Sequence, residues 1–239
     1  MPDSHETDVA AEDDRKIMRY AFYKADPAWR RLPDEERSLH KKEFCEVLEN
    51  APLEVHPYST VGLRADCDLG MWEIAAKPEH IQQFQAALNG SSLGRYLSPA
   101  HSFLAMTKKS MYLKGHKHEG QEMNMPAGPK GSSYLFVYPM DKLRPWYRLP
   151  FEDRRRIMGE HFGIGHKFPG VAIHTGYSFG IDDQEFVVAF EGESVGEFLD
   201  LVQELRGSES SAYTARDIPI FTCVNMPLEK ILDQLDGAR

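Results

Sequence analysis

The residues Tyr138-Pro139-Met140-Asp141-Lys142 end a run from Ser133 that reads as a β-strand. Side chains two apart on a strand share a face, so Tyr138, Met140 and Lys142 point together. A phenol, a thioether and an ammonium on one sheet face is an unusual set for a dry core. By residue type it also fits a strand end whose lysine reaches solvent. His161 lies three residues after Met158 and four after Ile157, on the apolar stripe of a helix that starts at Pro150, with Gly163 placed to cap it. An imidazole there is either a packed, hydrogen-bonded core residue or a ligand. His174 stands 13 residues on, on the next strand. Arg206 ends the following helix, where a cation also suits the helix dipole, and Ser211 comes five residues later. His116 and His118, in G-H-K-H, alternate without a Cys or further His nearby, which reads as a solvated loop rather than a zinc site.

The elements that must position these groups form a duplication. Residues 29–37 read W-R-R-L-P-D-E-E-R and residues 146–154 read W-Y-R-L-P-F-E-D-R, 117 positions apart. A second echo sets Tyr58, Ser59 and Gly62-Leu63 before Asp66 and Asp68, and Tyr177, Ser178 and Gly180-Ile181 before Asp182 and Asp183. In the first half, strand signals at Met18 to Lys24, 54–63, 69–76 and Tyr96 to Lys108 alternate with helices at Pro33 to Glu49 and Pro78 to Leu88. The second half repeats this with strands at Ser133 to Met140, 170–179, 185–191 and Ile218 to Val224, and helices at Pro150 to Phe162 and Val195 to Arg206. The order β-α-β-β-α-β, twice, predicts an α+β chain of two fused ferredoxin-like halves. A helix layer covers only one face of each sheet, so the two sheets are expected to pack together and enclose a space. The expected division is an acidic disordered tail at 1–15, a first half at 16–110, a connector at 111–131, a second half carrying the site at 132–226 and a tail at 227–239. A connector of that length is either a wall of the site or a linker.

The bulk properties exclude several classes. The chain has 239 residues, 41% hydrophobic and 27% charged, enough to bury a core without crosslinks. A formal net charge of -9 disfavours nucleic-acid binding, which needs a basic footprint. The cysteines Cys45, Cys67 and Cys223 are odd in number and widely spaced, which predicts free thiols in a reducing compartment. With no signal-peptide pattern and no long apolar run, the expectation is a cytoplasmic protein with no membrane partner. G-x-G-x-x-G after a strand, Walker, G-x-S-x-G and H-E-x-x-H motifs are all missing, so nucleotide, serine-hydrolase and zinc-protease readings lack support.

The segments Y-P-M-D-K at Tyr138, W-Y-R-L-P at Trp146, E-H-F-G-I-G-H at Glu160, T-G-Y-S-F-G-I-D-D-Q-E-F at Thr175, and L-R with a serine five positions on resemble the chlorite dismutase family. Within it they are most similar to the coproheme decarboxylases. The match runs from about Arg19 to Cys223, and the order of the pieces is more specific than any one of them. The resemblance implies haem chemistry: iron-coproporphyrin as substrate and cofactor, hydrogen peroxide as co-substrate, two propionates lost as carbon dioxide, and haem b as product. It implies His161 as the iron ligand, Tyr138 as the redox-active phenol, Lys142 beside the reacting propionate and Met140 as a pocket neighbour. Arg206 and Ser211 are then the propionate anchors. It also implies a homo-oligomer, the pentamer being common in the family. His174 aligns with the distal position, where chlorite-degrading members carry arginine and many decarboxylases glutamine. A histidine there is expected to serve as the base for peroxide, with His116, His118 and Gln121 as the alternatives. The connector holds no arginine for a propionate; Lys114, Lys117 and Lys130 are the available cations, without a bidentate fork. A haem b enzyme of chlorite dismutase or peroxidase type, and a non-catalytic haem carrier or sensor, are the competing functions.

Overall fold

The computed structural model describes residues 15–112 and 128–237. Strand β1 (Ile17–Ala25) leads into helix α1 (Asp34–Glu49), strands β2 (Glu54–Ser59) and β3 (Leu69–Ala75), helix α2 (Pro78–Gly90) and strand β4 (Leu97–Met106). The second half runs β5 (Tyr134–Lys142), a one-turn helix α3 (Arg144–Arg148), α4 (Phe151–Gly165), β6 (Ala172–Tyr177), β7 (Phe186–Gly192), α5 (Val195–Arg206), a 3-10 helix (Glu209–Tyr213), a short strand β8 (Thr214–Arg216) and β9 (Phe221–Asn225). The repeated motif has one local meaning in both halves. Trp29 and Trp146 are buried, and Pro33 and Pro150 sit at the helix N-caps, followed by acids that favour the positive end of the dipole. The second echo is a pair of turns in which Gly62 and Gly180 adopt φ of 75° and 72°, a region costly for any side chain.

Each half has the strand order of a ferredoxin-like sheet, β4-β1-β3-β2 and β9-β5-β7-β6, antiparallel throughout. The halves do more than pack face to face. β2 pairs with β9 and β4 with β6, and β5 pairs with both β9 and β7, so eight strands close on themselves and leave no free edge. Inside lies a core drawn from both halves, including Tyr20, Phe22, Trp72, Leu135, Val137, Ala189 and Phe221. The helices lie outside.

Two expected boundaries are corrected. Helix α4 does not stop at Gly163 but runs to Gly165 with His166 as its C-cap, because nothing at Gly163 interrupts the backbone ladder. The described part of the expected tail at 227–239, residues 227–237, is not a tail. Leu228–Asp236 form helix α6, whose Ile231, Leu232 and Leu235 are completely buried against the first half, beside Trp29 and Phe44. The expected N-terminal tail (but for Arg15) and most of the connector lie outside the described residues.

Candidate functional site

The site forms on the outer face of β5 and β7. Side chains alternate along β5: Leu135 and Val137 enter the barrel, while Phe136, Tyr138 and Met140 face the outer layer with Val188 and Phe190. The bulge between Asp141 and Lys142, where β5 leaves β7 and meets β8, re-aims the strand end. Asp141 and Glu185 pin it: Glu185 Oε2 accepts from Lys142 N at 2.8 Å, and Asp141 Oδ1 accepts from Glu185 N at 2.8 Å. The Lys142 ammonium thereby reaches the carbonyl of Ser210 at 3.0 Å and lies 5.1 Å from the Trp146 ring centre. Among the described residues no carboxylate pairs with it. Burial alone pulls its pKa from 10.5 down to about 8.

His161 comes to the same place from α4. Its Nδ1 is 3.2 Å from Ser210 Oγ, and Ser210 Oγ is 2.9 Å from Ser208 Oγ. Burial first, and the nearby Lys142 charge second, lower its pKa from 6.5 to about 4, so it is a neutral imidazole at ordinary pH. Tyr138 stacks against Phe190 with ring centres 5.8 Å apart. Burial, with a smaller contribution from Asp217 and against one from Arg206, pushes its phenol well above the usual tyrosine range. Arg206 is half exposed and salt-bridged to Asp217. Met140 packs partly buried at the edge of the same cluster. Ser211 sits in the 3-10 helix one residue beyond Ser210, half-buried. The structure therefore gathers Tyr138, Met140, Lys142 and His161 about one face, with Arg206 and Ser211 at its rim.

His174 is not part of this face, and its expected role as distal base is corrected. On β6 it pairs with Ala189, whose side chain points into the barrel, opposite to Tyr138. There it is buried, edge-on to Trp72 at 5.0 Å, with Nε2 2.8 Å from Glu191 Oε2. The residues of β6 that share the face of Val188 and Phe190 are Thr175 and Ile173. The alternatives His116, His118 and Gln121, and the cations Lys114 and Lys117, lie outside the described residues. Lys130 is exposed, and its backbone N–H donates to Glu191. Ser210 and Asp217 escaped sequence reasoning. The run G-S-E-S-S offers three hydroxyls in a short 3-10 turn, with no periodicity to tell them apart.

The duplication shows why the first half offers no equivalent of this face among the described residues. Subtracting the 117-residue offset from Tyr138, Met140, Lys142 and His161 gives Ala21, Tyr23, Ala25 and Phe44. Those four are 2%, 1%, 1% and 0% exposed, in one cluster with the apolar face of α6. Their second-half counterparts are all partly exposed, and among the described residues no helix equivalent to α6 covers them. Two surface grooves of the first half, beside α1, are lined by Glu43 and Glu46 and hold none of these residues.

The Chlorite dismutase family model matches residues 37–226. The chain belongs to the chlorite dismutase family. It is 30% identical over 182 residues to the coproheme decarboxylase of Mycolicibacterium smegmatis, covering 74% of this chain and 75% of that one. A chlorite dismutase variant from Candidatus Nitrospira defluvii superposes with a TM-score of 0.85 at 26% identity, over 92% of this chain and 95% of the other. The same enzyme in complex with imidazole gives 0.83 at 25% identity, over the same shares. In this family member the candidate face carries an ammonium with no carboxylate partner among the described residues, and a neutral imidazole. Among the described residues no group of three or more His, Cys, Asp or Glu side chains is arranged to hold a metal ion. Iron at His161 would thus have to bring its other ligands with it, as it does inside a porphyrin, and a neutral imidazole in a cationic setting fits that group. No described helix is long and apolar enough to cross a membrane.

Proposed function

We propose that the chain is a coproheme decarboxylase, acting on iron-coproporphyrin with hydrogen peroxide to give haem b. Each propionate converted consumes one peroxide and one proton, and leaves a vinyl group, carbon dioxide and two waters. The iron porphyrin, as substrate, supplies the oxidising power from peroxide. His161 holds it through a neutral imidazole. Tyr138, protonated by virtue of its burial, gives up an electron and a proton together and then takes a hydrogen from the propionate carbon next to the ring. Lys142 holds that carboxylate in position, and excludes other orientations by charge. Arg206 and Ser211 anchor the remaining propionates, and Met140 packs against the macrocycle edge.

The observation that carries this reading is Lys142. A half-buried ammonium with a carbonyl and a ring face for company, and no acid among the described residues, suits a carboxylate. Tyr138 is two alternations up the same strand, and His161 is near enough for the Lys142 charge to act on it, which supports charge, redox phenol and ligand serving one face. Purified protein mixed with coproheme and peroxide is expected to give haem b by way of a three-propionate species, both resolved by mass spectrometry. Unchanged coproheme would sink the proposal. The likeness to chlorite dismutases favours a second reading, haem b-dependent chlorite breakdown. Against it stand Ile173 and Thr175, which put no cation on the face of β6 that looks toward the site. Oxygen release from chlorite by the haem-loaded protein would reverse the order of the two readings. We also expect a homo-oligomer, checked by sedimentation.

A further inference from the structure

We infer that Ser208 and Ser210 form a directional hydrogen-bond relay that locks His161 as its Nδ1–H tautomer and leaves the Nε2 lone pair for a ligand. The inference deepens the proposed function and rests on it for the identity of that ligand, an iron porphyrin. The argument is one of counting protons. A carbonyl oxygen only accepts, so the 2.7 Å contact between Ser208 Oγ and the Leu205 carbonyl uses the single proton of Ser208. Ser208 must therefore accept in its 2.9 Å contact with Ser210 Oγ, which uses the single proton of Ser210. Ser210 has only lone pairs left for His161, so at 3.2 Å the Nδ1–H donates. The reverse order would set two lone pairs against each other in a place where Ser208 and Ser210 are 5% and 3% exposed and water cannot mediate.

The chain of donors starts at the imidazole and ends on a helix carbonyl. Ser208 follows Gly207, the C-cap of α5, so the relay is anchored to the last turn of that helix. The backbone of Ser210 has a second task, since its carbonyl receives the Lys142 ammonium at 3.0 Å. One residue thus sets the tautomer of the imidazole and the position of the carboxylate-binding amine. Ser210 is a positioning residue: it touches no substrate, and acts through His161. A neutral hydroxyl acceptor strengthens the imidazole as a ligand less than a carboxylate would, which keeps the ligand neutral rather than imidazolate-like.

The test loads the full chain with coproheme, or with haem b, and reads the iron–imidazole stretching band by resonance Raman together with the midpoint potential. Ser210→Ala is expected to lower that frequency, raise the potential and weaken iron-porphyrin affinity by roughly 10- to 100-fold. Ser208→Ala, which touches nothing on the porphyrin, should shift the band in the same direction. The double variant should match Ser210→Ala alone, because Ser208 acts only through Ser210. Ser210→Thr, which keeps the hydroxyl, should restore the wild-type band and controls for a folding defect. A wild-type band that Ser210→Ala leaves in place overturns the relay alone. A wild-type protein with no imidazole-bound iron overturns the functional reading and the relay with it.

Discussion

The chemistry of single residues here follows from what burial does to them. Lys142 is a cation that burial has weakened to a pKa of about 8. A carboxylate brought beside it restores the charged form and raises that pKa again. The sign is then fixed: below pH 8 the amine already carries its proton, and coproheme binding takes up none there. Above pH 8 binding is coupled to proton uptake, and affinity falls as pH rises. Calorimetry at pH 9 in buffers of differing ionisation enthalpy should register this uptake, and Lys142→Met should remove it. Tyr138→Phe is expected to abolish haem b formation while coproheme still binds, whereas His161→Ala should lose the iron–imidazole band and bind porphyrin weakly. Absorption titration beside product mass spectrometry separates the two, and a fully active Tyr138→Phe would dismiss the phenol. That Tyr138, Met140 and Lys142 share a face was legible because the strand period carries side-chain direction, whereas His161 was singled out as a ligand only by the family resemblance. His174 was misplaced for the converse reason: an aligned position says which strand a residue occupies, but a shift of one residue exchanges the two faces. Ser210 and Asp217 were illegible, because a 3-10 turn and a strand lead-in leave no periodic trace.

At the scale of elements, the inner face of β7 governs where the connector re-enters the fold. Glu191 is almost fully buried, and its carboxylate accepts from His174 Nε2 at 2.8 Å, Lys130 N at 2.7 Å and Gly131 N at 3.0 Å. Burial pushes this carboxyl up, but the hydrogen bonds outweigh it and hold it below the usual glutamate value. A folded-state pKa below the unfolded one means stability that is complete above the unfolded pKa and is lost as pH falls through the folded one. Denaturant unfolding at a series of pH values should show an acid-linked loss below about pH 4. Glu191→Gln should flatten it, and an unchanged slope would remove Glu191 from the account. The position that looked like a distal base is therefore half of a latch between connector and barrel. Helix α6 teaches a different lesson about legibility. Leu228, Ile231, Leu232 and Leu235 stand at i, i+3, i+4 and i+7 between Pro227 and Gly237, a complete helix signature at the chain end. The helix is only nine residues long and has no counterpart in the six-element order β-α-β-β-α-β.

For the whole molecule, duplication and divergence are the organising facts. Two halves of one plan close a barrel, and each presents an outer face flanked by helices. In the first half that face is filled: α6 lies against it, and small or apolar side chains at Ala21, Ala25 and Phe44 leave nothing exposed. In the second half the same positions carry Tyr138 (for Ala21), Lys142 (for Ala25) and His161 (for Phe44), and among the described residues no helix lies over them. Among the described residues, the site thus depends as much on what the outer layer leaves uncovered as on the residues present in it. Phe44→His tests this directly, since it places an imidazole at the equivalent point of a half that has no room. Swapping the fully buried phenyl for the smaller imidazole should cost less packing than the roughly 3 to 5 kcal/mol of a truncation to alanine, and an imidazole without a partner should add roughly 1 to 3 kcal/mol. The combination of His161→Ala with Phe44→His should therefore unfold at lower denaturant and show no iron–imidazole band. A band from the first half in that variant would mean that α6 yields its place to a macrocycle. The asymmetry between the halves would then lie in the ligand residues alone.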